Sequence, residues 1–232
     1  MGSAHPGARV EGTVAMSDPT TRNDARTELD ATVARLHAVV TDAEPLLTAL
    51  DEASGDGDFG SNLDEGFVRV EARLAAGDAG WPALVEVFLD EVGGTSGPLF
   101  GLLFQSVGLA ASPGEDYLGA LTEGLAEGLA AIQRVGEAQV GDRTLVDALA
   151  PAVAALRDQP GDAAAMVRAG VDGALGTAEI RARRGRSSYV GEKALGHSDP
   201  GAVGLALLLT VLAEPVLDAA VVEVERTRLL QR

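Results

Sequence analysis

The stretch Asp51-Glu52-Ala53-Ser54-Gly55-Asp56-Gly57-Asp58-Phe59-Gly60 sets three carboxylates, Asp51, Asp56 and Asp58, around Gly55 and Gly57, where one apolar helical segment gives way to the next. Carboxylate oxygens suit a hard divalent cation. Mg²⁺ takes near-octahedral oxygen ligands, usually a few carboxylates completed by phosphate oxygens and water, so the cluster suggests a nucleotide site. A plain turn is the competing reading, because Asp caps helix N-termini and Gly supplies positive φ. A calcium EF-hand fails on ligands: with Asp56 at position 1, position 5 is Gly60, position 6 is Ser61, and position 12, which needs a bidentate Glu, is Phe67.

Three further junctions have related chemistry. Gly93-Gly94-Thr95-Ser96-Gly97-Pro98 runs into an apolar segment from Leu99, with Ser96 as a candidate cap. Free N–H groups and the positive dipole end at such an entry make it a phosphate cradle, although capping alone also accounts for it. Gly141-Asp142-Arg143-Thr144-Leu145-Val146-Asp147 opens another helix in the same way. Gly185-Arg186 through Gly191-Glu192-Lys193, followed by Gly196-His197-Ser198-Asp199-Pro200-Gly201-Ala202, offers a guanidinium fork for phosphate and a turn that can close over a base or ribose. A basic loop anchored by salt bridges to an acidic protein is the alternative. His197 reads as a hydrogen-bonding residue. With His5 and His37 as the other histidines, no histidine metal cluster can form.

The elements that must position these junctions are helices. Ala and Leu recur at three- and four-residue spacing, without alternating β-branched runs. The pattern predicts about eight helices, over 23–50, 61–76, 81–93, 97–111, 115–136, 143–157, 161–182 and 200–224. Short connectors favour antiparallel neighbours in a bundle. The exception is Arg183 to Pro200, about eighteen residues, a length that is usually functional or disordered. Residues 1–22, small, polar and interrupted by Pro6 and Pro19, read as a disordered tail without signal-peptide character, ahead of one domain over 23–232.

Composition narrows the function. A chain of 232 residues with 46% hydrophobic content builds one sizeable core. A net charge of -17, with Arg181, Arg183, Arg184 and Arg186 as the one basic cluster, argues against nucleic acid and anionic lipid. The absence of cysteine excludes disulfides, thiolate metal sites and cysteine nucleophiles. The apolar run Ala202 to Ala213 is stopped by Glu214 and Pro215, too short to span a bilayer. We therefore expect a soluble, cytoplasmic protein.

Leu50-Asp51 with Gly55-Asp56-Gly57-Asp58, Gly94-Thr95-Ser96-Gly97-Pro98-Leu99, Gly141-Asp142-Arg143-Thr144 with Asp147-Ala148-Leu149-Ala150-Pro151, and Gly185-Arg186 through Gly201-Ala202 occur in that order. Together, over roughly residues 25–225, they resemble the L subunit, or nucleotide-binding (DAK2) domain, of the dihydroxyacetone kinases. The resemblance implies an all-α fold, a closed antiparallel eight-helix barrel with the nucleotide site at one end. It implies two Mg²⁺ ions on Asp51, Asp56 and Asp58. It implies ADP or ATP contacted by Phe59, Gly60, Ser61 and Asn62, by Thr95 and Ser96, by Gly136 and Leu145 around the adenine, by Arg186, and by Asp199, Pro200 and Gly201. No protein nucleophile is implied; transfer rests on metal-assisted positioning.

The implied activity is phosphate transfer to dihydroxyacetone, or a related small keto-sugar, held by a separate K subunit. The donor is ATP or a phosphotransferase-system protein that rephosphorylates bound ADP, and a homodimer remains open. Two positions depart from the pattern: Phe59 stands where the family usually has histidine, and Arg143 where it usually has lysine. Arginine keeps the charge, whereas phenylalanine cannot hydrogen-bond a phosphate. A nucleotide-loaded adaptor without transfer activity, and a helical structural protein with acidic turns, stay as alternatives.

Overall fold

The structure, a computed structural model, describes residues 19–110 and 116–231. Among these there are helices and no strand: α1 (Pro19–Ser54), α2 (Phe59–Ala75), α3 (Gly80–Asp90), α4 (Ser96–Ala110), α5 (Tyr117–Gly136), α6 (Val146–Asp158), α7 (Ala163–Gly176), α8 (Ser187–Val190), α9 (Pro200–Ala213) and α10 (Ala219–Leu230). Two 3-10 turns lie at Thr177–Glu179 and Gly191–Ala194. The all-α expectation holds. Of the expected tail, residues 1–18 lie outside the described residues, and α1 begins at Pro19, within the stretch assigned to that tail.

Apolar periodicity translates directly into packing. Val33, Leu36, Val40, Ala43 and Leu47 form the buried stripe of α1, spaced by three or four residues. Pro45 lies inside this helix. Proline removes one helical hydrogen bond, but the buried side chains on both sides of it hold the two halves to the same core. From α1 to α7 each helix packs on the next, and α9 packs on α7, α6 and α1, bringing the chain back to its first helix.

The predicted helix over 200–224 is two helices. Pro215 follows the α9 cap Glu214, and a proline ring there ends the helix by sterics and by its missing N–H. Asp218 then caps α10, its carboxylate accepting from the Ala220 N–H at 2.7 Å. The chain folds back, so that α10 packs on α7 and α9. Arg226 bonds Thr210 Oγ1 at 2.8 Å and Glu214 at 2.5 Å, and Arg228 bonds Asp172 at 2.6 Å and the buried Glu225 at 2.5 Å. This covering explains why every residue from Pro200 to Ala213 is buried. A helix enclosed on all sides carries no polar stripe. Among the described residues no helix is long and apolar enough to cross a membrane.

The remaining differences lie next to the cleft described below. The segment expected over 161–182 leaves α-helical geometry at Gly176 and tightens into the 3-10 turn at Thr177. The stretch Arg183–Pro200 is not a plain loop, since it carries α8 and the second 3-10 turn. Beneath the cleft, Phe59 and Phe100 stand 6.3 Å apart, Phe100 and Phe104 6.3 Å, and Phe104 packs edge-on against Phe67, Phe88 and Trp81. Trp81 Nε1 donates to the Phe104 carbonyl at 2.8 Å. This aromatic column gives the cleft a stiff apolar floor.

Candidate functional site

One cleft gathers the junctions that the sequence marks separately. It encloses about 1050 Å³, its open mouth included, and is walled by the ends of α1, α2, α4, α5, α6 and α9 with the segment 184–187. The N-termini of α2, α4, α6 and α9 all open at this end, so positive dipole ends converge on one space.

Asp51, Asp56 and Asp58 each present a carboxylate oxygen to a common point, with these atoms within 4.8 Å of one another. Local folding fixes the arrangement. Asp51, in the last turn of α1, is 7% exposed, and its Oδ2 accepts the Phe59 N–H at 3.1 Å, which ties the end of α1 to the start of α2. Gly57, at φ 79°, makes the turn that carries Asp56 and Asp58 to the same side. The Arg186 guanidinium reaches across to the Asp56 carboxylate and to Asp58 at 3.2 Å. An all-oxygen anionic set that already draws in an organic cation fits a hard divalent ion.

Arg143 also lines the cleft. It is 1% exposed, and its Nη2 donates to the Ala194 carbonyl at 3.2 Å and the His197 carbonyl at 2.9 Å. Burial pulls its pKa down, and the charge of Asp199 opposes that shift. Asp199 caps α9 through the Ala202 N–H at 2.9 Å, while its own N–H donates to Thr177 Oγ1 at 2.7 Å. Burial raises the Asp199 carboxyl to about 6, against the lowering effects of the Ala202 N–H and Arg143, with Asp147 and Asp51 adding to the rise. Asp147 folds the entry to α6, accepting from Gly141 N–H at 2.5 Å and Thr144 N–H at 2.8 Å.

Phe59, Asn62, Thr95, Ser96, Gly136, Leu145, Arg186, Asp199, Pro200 and Gly201 line the cleft together with the three aspartates. Gly60 and Ser61 do not. A Cβ on Gly60 would strike Thr48 Oγ1 and the Glu44 carbonyl, so this glycine exists for the close approach of α2 to α1. The Ser61 hydroxyl donates to the Asp58 carbonyl at 3.1 Å. The Phe59 ring packs into the floor, 6.3 Å from Phe100. Arg143 lines the cleft and Asp147 folds the loop behind it, roles that sequence reasoning did not assign them. The spacing Thr144-x-x-Asp147, a capping signature, was the available signal for Asp147. Ile132, also in the lining, has no sequence signal that separates it from ordinary core.

Known proteins share this arrangement of helices. The DAK2 domain model matches residues 53–214, and the chain belongs to that family. A Listeria innocua protein, the ADP-binding subunit DhaL of PEP-dependent dihydroxyacetone kinase 2, is 36% identical over 192 residues, covering 76% of this chain and 88% of its own. The L-erythrulose 1-kinase of Mycolicibacterium smegmatis is 35% identical over 219 residues, 88% of this chain and 38% of that longer one. The crystal structure of the C. freundii dihydroxyacetone kinase in complex with AMP-PNP and Mg2+ superposes with a TM-score of 0.62 at 31% identity, covering 93% of this chain and 37% of that one.

Proposed function

We propose that this chain is the Mg²⁺- and adenine nucleotide-binding subunit of a dihydroxyacetone kinase, which passes phosphate to dihydroxyacetone or a related keto-sugar held by a separate K-type subunit. The observation that carries the reading is the convergence of three carboxylates and one guanidinium at a mouth where four helix N-termini open. The names of the relatives, an ADP-binding kinase subunit and a keto-sugar kinase, support it. The circuit of α1 to α7 closed by α9 is read as the eight-helix barrel, with α10 outside it and α8 at its rim.

In this reading Asp51, Asp56 and Asp58 hold two Mg²⁺ ions, which neutralise β- and γ-phosphate charge. Thr95 and Ser96 at the α4 entry, with Asn62, receive phosphate oxygens. Gly60 and Ser61 contribute through first-turn N–H groups of α2, since Gly60 has no side chain and the Ser61 hydroxyl turns to the Asp58 carbonyl. Gly136 and Leu145 flank the adenine, Asp199-Pro200-Gly201 closes over base and ribose, and Arg186 takes phosphate charge. Phe59 supplies floor and main chain, and the phosphate hydrogen bonds of a histidine at that position fall to the neighbouring N–H groups. The phosphoryl donor is ATP, or a phosphotransferase protein acting on resident ADP, in a soluble cytoplasmic assembly.

Phe59 also favours one second reading, a nucleotide-loaded adaptor without transfer. The two separate in a transfer assay with the purified chain, cognate K-type subunit, Mg²⁺, ATP or the phosphotransferase donor, and dihydroxyacetone or erythrulose. Formation of sugar phosphate is the expected result. Tight nucleotide binding with no product from either donor contradicts the kinase reading and supports the adaptor.

A further inference from the structure

Arg186 reaches the aspartates from a segment with a distinctive build. Residues 185–191 run between Gly185 at φ 65° and Gly191 at φ 64°, both in the left-handed region that favours glycine, and enclose α8. The flanks are fastened to the body. The Arg183 N–H donates to the Asp142 carbonyl at 3.1 Å, Arg184 pairs with Glu137 at 3.3 Å, Arg143 holds the Ala194 and His197 carbonyls, and the Gly196 N–H donates to the Ala178 carbonyl at 2.9 Å. Inside the segment, the N–H groups of Ser188 and Tyr189 turn back to the Gly185 and Arg186 carbonyls, and the Tyr189 side chain is 91% exposed. Among the described residues, the ion pairs that cross from 185–191 to the rest of the protein are those of Arg186 with Asp56 and Asp58.

We infer that Arg186 is a built-in counter-ion that latches a glycine-hinged flap over the carboxylates and yields them when a divalent cation binds. The inference rests on the reading of Asp51, Asp56 and Asp58 as metal ligands. Three carboxylates whose oxygens lie within 4.8 Å repel one another, and the guanidinium relieves that repulsion while bridging two of them. The relief has a consequence. Arg186 bonds the Oδ2 atoms of Asp56 and Asp58, so a second cation on those oxygens meets a like charge a few ångströms away. Arg186 must therefore leave, and the hinge glycines let 185–191 move while its fastened flanks stay in place. Once free, the same guanidinium is positioned at the rim to take phosphate charge. Arg186 thus acts as a positioning residue that opposes bare metal and favours metal with nucleotide.

The signature is a pair of effects of opposite sign in one variant. Mn²⁺ titration of the full chain without nucleotide, followed by the electron paramagnetic resonance signal of free Mn²⁺, is run on wild type, Arg186→Gln and the charge-matched control Arg157→Gln, an exposed residue in the last turn of α6. We expect Arg186→Gln to bind Mn²⁺ about fivefold tighter or more and ADP with Mn²⁺ more weakly, while Arg157→Gln changes Mn²⁺ affinity less than about twofold. In wild type, Mn²⁺ alone should speed amide hydrogen exchange over 185–191. Equal or weaker Mn²⁺ binding by Arg186→Gln, or unchanged exchange over 185–191, overturns the latch while leaving the metal site standing. Failure of wild type and Arg186→Gln alike to take up Mn²⁺ overturns the metal reading and the latch together.

Discussion

At the residue scale, the buried Asp199 and Arg143 in the cleft lining make folding pH-dependent. Folded Asp199 titrates at about 6 against an ordinary value of 3.8, chiefly because it is buried. The folded state therefore keeps a proton that the unfolded chain has lost between these values, so the Asp199 contribution favours folding at low pH and is lost as pH rises through about 6. Asparagine still caps α9 without titrating. Between about pH 5 and about pH 7.5, the stability of Asp199→Asn relative to wild type should improve by about 1 to 1.5 kcal/mol, measured by urea unfolding. A constant difference would show that Asp199 is not held up. Arg143 makes the complementary case. Arg143→Met removes the donors to the Ala194 and His197 carbonyls and the charge facing Asp199, and should cost about 3 kcal/mol. Arg143→Lys, which keeps a charge and donors, should recover part of that loss in the same unfolding experiment. The sequence shows Arg143 as a charged residue in a capped turn. Its burial depends on where 194–197 lies, and that contact spans more than fifty residues of chain.

At the element scale, the close approach of α1 and α2 holds the carboxylates in register. Gly60→Ala drives a methyl into Thr48 and the Glu44 carbonyl, and overpacking of this kind costs about 1–3 kcal/mol. Because Phe59 N–H and Asp51 bridge the same two helices, the variant should also weaken Mg²⁺-dependent ADP binding, with thermal unfolding and calorimetry reading the two effects. Wild-type affinity in a destabilised Gly60→Ala would separate helix packing from the site. The helices themselves were legible where apolar spacing is strong, as in α1, α2 and α5, because one buried face imposes its period on the residues. The split at Pro215 is where that signal gave out. The chain from 200 to 224 stays rich in apolar residues, and only the packing of α10 on α7 and α9 shows that it doubles back. The short α8 was hidden for a different reason. Four helical residues between two glycines have no period to detect.

At the scale of the whole molecule, a chain of net charge -17 concentrates three carboxylates at one end and offsets them with one arginine, Arg186, drawn from a distant segment. The four motifs lie far apart in the chain, and the packing circuit of the helices makes them one cleft. Their types and order were readable in the sequence. That Gly60 serves packing and that Ser61 turns to the Asp58 carbonyl were not, since helix phase at the first turn depends on where α2 begins. Ligands that bind only the folded state stabilise it by mass action, so Mg²⁺ with ADP should raise the melting temperature by more than the two separate increments combined. Simple additivity would argue that nucleotide and metal occupy independent places. The most direct test of the central claim is calorimetric titration of ADP into wild type and Asp56→Ala, with Mg²⁺ and with a chelator. We predict Mg²⁺-dependent binding by wild type that weakens by about tenfold or more in Asp56→Ala and in chelator, the cost of losing a charged metal ligand. Binding of ADP that ignores both Mg²⁺ and the loss of Asp56 would contradict it.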